Sequence, residues 1–423
     1  MKRTLLLLIF IGSVAYHAQA QFTVSGDFRF RSELRDGARV LLDSTKHASV
    51  VSSQRTRLIT HFKEDRFEIK VTFQNARIWG QDRERANVPN LNLAEGWLKY
   101  KLNEDTTKGF FVKVGRQHLV FDDGRIYGMR NWNDIAVSHD LALLQYENNG
   151  WNIIGGGGYN NDANKYFESA YDVNFYRYLG VIWVNKQLNE QWQASLLNSV
   201  EGHEDENNYE TLYPRATSGV YVKKDKGNSP ISLQASFYYQ YGKHPMGTKQ
   251  SSYMYSIVPT YQISKKWKTT FGINYLSGND QTEASDKNKS FNKLFGDGHR
   301  YYGYMDYFLN IEDNTLGGGM RELFLGLYYK FGEKTQLEVS YHNFGMAGTL
   351  VNAEDGSVVD GQLGNEIDLQ LKHSLGKGVT LVVDYSTMFA TEDMEYLKGG
   401  DHTRYQQWAN VMLIAKPQLF KSK

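Results

Sequence analysis

The chain has 423 residues, with 48 Lys and Arg against 47 Asp and Glu, so its formal charge is +1. That balance leaves no basic footprint for nucleic acid, and the absence of Cys excludes disulfides and thiolate metal sites. No stretch beyond the N-terminus approaches the ~18 uninterrupted apolar residues of a membrane-spanning helix. The 29 Tyr, 22 Phe and 8 Trp, with only 6 Pro, suit long strands. A mean hydropathy of −0.55 fits a membrane barrel, in which only alternate residues face lipid.

Lys2 and Arg3, the apolar run Leu5–Val14 and the small-residue site Ala18-Gln19-Ala20 follow the order of a secretory segment. Residues 1–20 are therefore expected to be cleaved near Ala20, leaving one domain over 21–423. Loss of Lys2 and Arg3 takes the formal charge from +1 to −1.

Residues 22–35 set the pattern of the rest. Phe22, Val24, Gly26, Phe28, Phe30 and Leu34 share one strand face, and Asp27, Arg29, Arg31, Glu33 and Arg35 share the other. The same period of two predicts about 18 strands. Their windows are 22–35, 55–64, 66–79, 92–102, 110–117, 138–147, 151–160, 174–187, 191–201, 213–224, 230–242, 252–264, 266–277, 320–331, 335–344, 364–374, 378–389 and 403–415. Short turns near 63–65, 103–108, 148–150, 188–190, 225–229, 265, 332–334 and 375–377 alternate with longer connections. Those fall near 36–54, 80–91, 118–137, 161–173, 202–212, 243–251, 278–319, 345–363 and 390–402. Such alternation predicts a single closed antiparallel transmembrane β-barrel with short periplasmic turns and long external loops. Lipid offers no hydrogen-bond partner, so the sheet must close on itself. Pro417 is expected to end the last strand near Lys416, with the aromatic Phe420 close behind.

On the polar face, Arg29, Arg31, Arg55, Arg57 and Lys70 are expected to line a lumen, with Arg77 and Arg116 at strand ends. Guanidinium groups hold carboxylates bidentately and stay charged, so such a cluster would attract anions. The alternative is that these arginines pair with Asp27, Glu33 and Glu68 as lumen-filling structure. Glu322, Glu338, Glu366, Asp368 and Asp384 take the same inward face in late strands. Since the last strand of a barrel pairs with the first, the lumen should carry a basic and an acidic sector. Asp122, Asp123, Arg125 and Arg130 lie in a loop that is a candidate constriction, where the two aspartates either pair with Arg125 or hold Ca²⁺, the first being preferred. The glycine run 155–158 has no following helix and reads as strand bending or close packing rather than phosphate binding. The polar loop 278–319 reads as a solvated external loop. Ser138 and His139 point to opposite strand faces, and no His-Glu-x-x-His helix occurs, so an enzyme is not expected.

The run Gly115-Arg116-Gln117 through Asp122-Asp123-Gly124-Arg125 to Gly128, followed by Trp132 and Ser138-His139-Asp140-Leu141-Ala142, resembles the alginate-export family of outer-membrane barrels. So do Gly26-Asp27-Phe28-Arg29-Phe30-Arg31, Ser53-Gln54-Arg55-Thr56-Arg57-Leu58 and Phe73-Gln74-Asn75-Ala76-Arg77-Ile78-Trp79-Gly80. The resemblance implies an 18-stranded barrel with an arginine-lined pore for an anionic polysaccharide. Together these readings predict a porin-like channel in a bacterial outer membrane. Its partners would be lipid and a polar or anionic sugar, oligosaccharide or small solute, without cofactor or metal. A surface-binding barrel acting through its loops, and a barrel hydrolase, are the alternatives. Oligomeric state is left open.

Overall fold

The computed structural model describes residues 20–82, 90–104, 108–173, 175–205, 207–359 and 361–422. The expected secretory segment lies, apart from Ala20, outside the described residues. Eighteen long strands form the wall: β1 Gln21–Asp36, β2 Ser49–Lys63, β3 Phe67–Ile78, β4 Leu91–Lys101, β5 Gly109–Gln117 and β6 His139–Asn148 come first. They are followed by β7 Trp151–Tyr159, β8 Tyr178–Gln187, β9 Trp192–Glu204, β10 Leu212–Lys224, β11 Ile231–Lys243 and β12 Lys249–Gln262. The wall is completed by β13 Trp267–Leu276, β14 Met320–Phe331, β15 Thr335–Gly345, β16 Gln362–Gly376, β17 Val379–Ala390 and β18 Gln406–Ala415.

Each strand pairs antiparallel with its sequence neighbour, and β18 returns to β1 with Ile414 opposite Arg29 and Trp408 opposite Arg35. The chain is thus a closed 18-stranded antiparallel barrel with no free edge. Pro417 interrupts the last strand as its missing N–H requires. Pairing nevertheless resumes at Gln418–Lys421, with Phe420 opposite Val24 and its ring 6.2 Å from that of Phe22. One connection expected to be long, 243–251, is the tight hairpin 244–248, because β11 and β12 run on to Lys243 and Lys249.

Period two sorts the side chains as lipid demands. Phe73, Leu98, Leu144, Ile182, Leu196 and Val411 are exposed on the outer wall. Aromatic pairs ring the short-turn end of that wall: Phe62–Phe67 at 5.4 Å, Phe110–Tyr146 at 4.6 Å and Trp267–Tyr329 at 4.4 Å. Tyr253, Tyr255 and Tyr275 stack at the long-loop end. In the glycine run, a Cβ on Gly157 would sit 2.1 Å from the Leu179 carbonyl oxygen, so β7 and β8 approach closely there.

The apolar core lies inside the barrel, not between layers. Phe121, Ile126 and Tyr127 from the loop 118–138 pack with Phe291, Phe295, Tyr302, Met305 and Phe308 from the loop 277–319. The reading of 278–319 as a solvated external loop is therefore corrected: Phe291, Met305 and Phe308 are fully buried. Its aromatic residues cannot remain in water when a lumen is available to take them.

Leu144, 62% exposed on β6, tests the assignment of faces. Leu144→Arg should cost about 2–4 kcal/mol in the free energy of folding into lipid bilayers, as a cation on the lipid face does. Gln145→Arg, one residue on and facing inward, should cost far less in the same titration.

Candidate functional site: a lumen closed by two loops

Arg29 on β1 stands directly opposite Arg55 on β2, and Asp27 opposite Arg57. Like charges placed so repel. What reconciles them is the tip of the loop 118–138. Arg29 donates to the Asn131 carbonyl at 2.7 Å and to the Asn133 carbonyl at 3.0 Å, and Arg55 donates to the same Asn131 carbonyl at 3.1 Å. Arg57 reaches the Asn131 side chain at 3.2 Å. Arg31 donates to the Trp132 carbonyl at 3.0 Å, and Asp134 lies 2.7 Å from Arg29 and 3.4 Å from Arg31. These four arginines are buried, face the lumen and hold a loop. Asp27 and Glu33 do pair with them, Asp27 with Arg55 at 3.3 Å and Glu33 with Arg31 at 3.3 Å. Lys70 also points inward, 2.6 Å from Glu95, while Glu68 pairs with His61.

Two expected lumen cations lie elsewhere. Arg77 is opposite the outward-facing Gln54 and lies 3.8 Å from Asp82. Arg116 shares the face of Phe110 and Val114 and pairs with Asp140 at 3.0 Å. Both keep the lipid-facing parity of their strands, and at the strand end, where the wall leaves the apolar layer, a paired arginine is tolerated on that face.

The same loop is anchored on the opposite wall. Asp122, at φ 55°, accepts from Trp183 Nε1 on β8 at 2.9 Å, from the Ser195 hydroxyl on β9 and from the Tyr238 hydroxyl on β11 at 2.9 Å. Burial pushes its carboxyl above the usual range, against the pull of those three donors. Asp123 instead pairs with Arg125 at 2.8 Å, so only one of the two aspartates takes the arginine. The loop spans the lumen from β1–β2 to β8–β11.

The loop 277–319 locks onto it. Phe295 N–H donates to the Ile126 carbonyl at 3.1 Å and Asp297 N–H to the Gly124 carbonyl at 2.9 Å. Arg130 donates to the carbonyls of Gly296 at 3.0 Å and Leu294 at 2.5 Å, and its own N–H meets Asp297 at 2.6 Å. The far side of this second loop is held by the acidic strands. Met305 N–H donates to Glu366 at 2.8 Å and Tyr304 N–H to Asp368 at 3.2 Å. Glu322 meets His342 at 2.6 Å and Asp384 accepts from Asn410 at 2.7 Å. Glu338, on the same inward parity, stands opposite Tyr328. These five acids lie on β14–β17 and the four arginines on β1–β2, with the uncharged inward residues Gln406, Trp408, Asn410 and Met412 of β18 between them.

A stack joins the two sectors. Arg31 lies over Trp132 at 4.6 Å, Trp132 on His299 at 3.5 Å and 7°, and His299 on Tyr304 at 4.9 Å and 17°. His299 is fixed by Asp306 at 2.7 Å. Burial alone would raise the Asp306 carboxyl, but His299 and Arg39 outweigh it and hold it below the usual range. His299, Tyr304 and their neighbours escaped the sequence reading. The signal available was the density of Phe and Tyr in a stretch otherwise rich in Asn, Asp and Gly.

Beneath the loops, toward the short-turn end, is a chamber of about 500 Å³. Arg29, Arg55, Arg130, Lys293, Arg300, Lys372 and Lys416 line it, with Asp297 the one carboxylate among its lining residues. Arg130, Lys293, Arg300, Lys372 and Lys416 form no ion pair among the described residues. Elsewhere, Ser138 donates to the Ala94 carbonyl at 2.7 Å, and His118 Nδ1 must donate to the Val137 carbonyl at 2.6 Å. That nitrogen therefore cannot take the Ser138 proton.

Asp122→Ala would leave three buried donors unpaired. Loosening of the loop by about 2–3 kcal/mol is expected, read as roughly 30- to 160-fold faster amide exchange over 118–128. Unchanged exchange would show that Asp122 is no anchor.

The family model described as alginate export matches residues 20–394. Among solved structures, OccAB1 of Acinetobacter baumannii is similar with a TM-score of 0.63 at 12% identity, covering 96% of this chain and 99% of that one. OccK11 (OpdR) of Pseudomonas aeruginosa is similar with a TM-score of 0.58 at 14% identity, covering 94% and 96%. OpdK of Pseudomonas aeruginosa, solved with vanillate, has a TM-score of 0.59 at 10% identity, covering 95% and 99%. No curated protein matches the sequence. With the match running over most of its length, this chain belongs to the alginate-export family, and its barrel has the fold of outer-membrane porins.

Proposed function

We propose that this porin-like barrel passes polar anionic solutes, such as acidic sugars or short oligosaccharides, passively across the outer membrane. In this reading residues 1–20 are a cleaved secretory segment and the short turns face the periplasm. The observation that carries the preference for anions is the chamber, where five cations without ion-pair partners among the described residues face one carboxylate. In a narrow passage such a surplus raises the local anion concentration. The arginines of β1 and β2 contribute less to selectivity than their number suggests, because Asp134, Glu33 and Asp27 pair with Arg29, Arg31 and Arg55. Their part is to set the width of the passage. OpdK, with vanillate bound, is a barrel of this fold crystallised with a carboxylate, a ligand chemistry that the chamber's ammonium and guanidinium groups would also suit.

In planar bilayers under a KCl gradient, the reversal potential should report anion preference. The double variant Arg300→Gln, Lys416→Gln should lower the chloride-to-potassium permeability ratio at least twofold. Cation preference in the unaltered protein would overturn the anion reading and leave passage intact.

The preference should also depend on pH. Burial, reinforced by Arg130, pulls the Lys293 ammonium down to about 7, with Asp297 and Asp306 acting the other way. Lys293 is charged below that pH and neutral above it. Anion preference is therefore expected to fall between pH 6 and 8, and Lys293→Met should flatten that part of the profile. A wild-type profile that is flat over this range would remove Lys293 from the account.

A further inference from the structure

A second recess opens at the long-loop end. It is lined by His244 and Thr248 of the β11–β12 hairpin, by residues between Asn279 and Asn288, by Asn292, and by Asn310, Glu312 and Asp313. Its five carboxylates, Asp280, Glu283, Asp286, Glu312 and Asp313, outnumber its cations Arg215 and Lys287, whereas the chamber toward the short-turn end is basic. The two cavities share one lining residue, Asn310. Next to it, Leu309 lines only the chamber, while Asn292 lines only the recess and its neighbour Lys293 only the chamber. The wall between the cavities is thus one residue thick at Asn310.

What holds Asn310 is local. Its N–H donates to the Asn314 side chain at 2.9 Å, and its carbonyl accepts from Asn314 N–H at 2.8 Å. Its side-chain amide donates to Asp313. All of these bonds lie within the one-turn helix Ile311–Asn314 that it precedes, and the side chain is exposed. Neither barrel wall grips this amide, in contrast with Asp122, Arg29 or Glu366. We propose that solute crosses the plug at Asn310, and that the turn 310–314 is the point where the acidic recess and the basic chamber join. This rests on the reading of the barrel as a passage, and it names the residue that limits that passage.

The absence of Cys from the chain makes the test direct. Single cysteines at 310, 248 and 416 are treated with a small, anionic, membrane-impermeant methanethiosulfonate, added to one face of a bilayer at a time, and conductance is followed. Thr248 lines only the recess and Lys416 only the chamber. Thr248→Cys should react faster from the long-loop face and Lys416→Cys faster from the short-turn face, since the reagent must pass Asn310 to reach either from the other side. Asn310→Cys should be blocked from either face, with conductance falling by more than half. Asn310→Gly should raise unmodified conductance and Asn310→Trp should lower it, which guards against a cysteine variant that folds poorly. Block of Asn310→Cys from one face or from neither, in a protein that conducts, would overturn this route and leave the passage reading standing. A barrel that does not conduct at all would overturn both.

Discussion

Closing eighteen strands pairs the backbone of the wall strand to strand, but it leaves a lumen that inward side chains cannot fill. The rest of the structure answers that constraint. Half of the wall's side chains must face inward, and lipid has already claimed the apolar half. The inner surface is therefore polar and charged, and whatever occupies the lumen must pair with it. Two loops do so. Their carbonyls and N–H groups meet charged side chains at both walls, and their aromatic residues make a core with each other.

The arginines show how such a surface becomes a device. Arg29 and Arg55 face each other across neighbouring strands, an arrangement that is unfavourable alone. The Asn131 carbonyl accepts from both and turns a repulsive pair into a socket for the loop tip. On the acidic side the polarity reverses, and Glu366 and Asp368 accept the N–H groups of Met305 and Tyr304. Basic strands thus hold carbonyls and acidic strands hold amides. Charge segregation around the barrel lets each sector grip a different loop, and the two loops then lock onto each other through Arg130, Phe295 and Asp297. The same arginines that a sequence reading offers for selectivity are then largely used for shape, and the cations without ion-pair partners among the described residues lie deeper, Arg130, Lys293 and Arg300 on the loops themselves and Lys372 and Lys416 on the wall.

Much of the wall was legible from alternation because a one-residue slip would put charge in lipid. All eighteen strands emerged at their predicted places, β2 starting six residues early at Ser49, and Asp27, Arg29, Arg31, Arg55 and Arg57 fell on the inward face as expected. Arg77 and Arg116 did not: period two carries the lipid-facing parity of Phe73 and Val114 through to them. The plug was only half legible. Asp122 to Arg130 stood out by motif, but the loop 277–319 was misread because its Asn, Asp and Gly outvoted its Phe and Tyr.

The amino-acid sequence by itself determined that this chain is a closed barrel, which faces meet lipid, and that basic and acidic strands lie in separate stretches. Those are local, period-two properties, and each strand declares them independently. Only the tertiary structure decided that two loops enter the lumen, that Asp122 and Asp123 part ways, and that Arg130, Lys293 and Arg300 gather over one chamber. These depend on contacts between residues far apart in the chain, such as Asp122 with Trp183, Arg29 with Asn131 and Arg130 with Asp297. No periodicity within a strand can encode them.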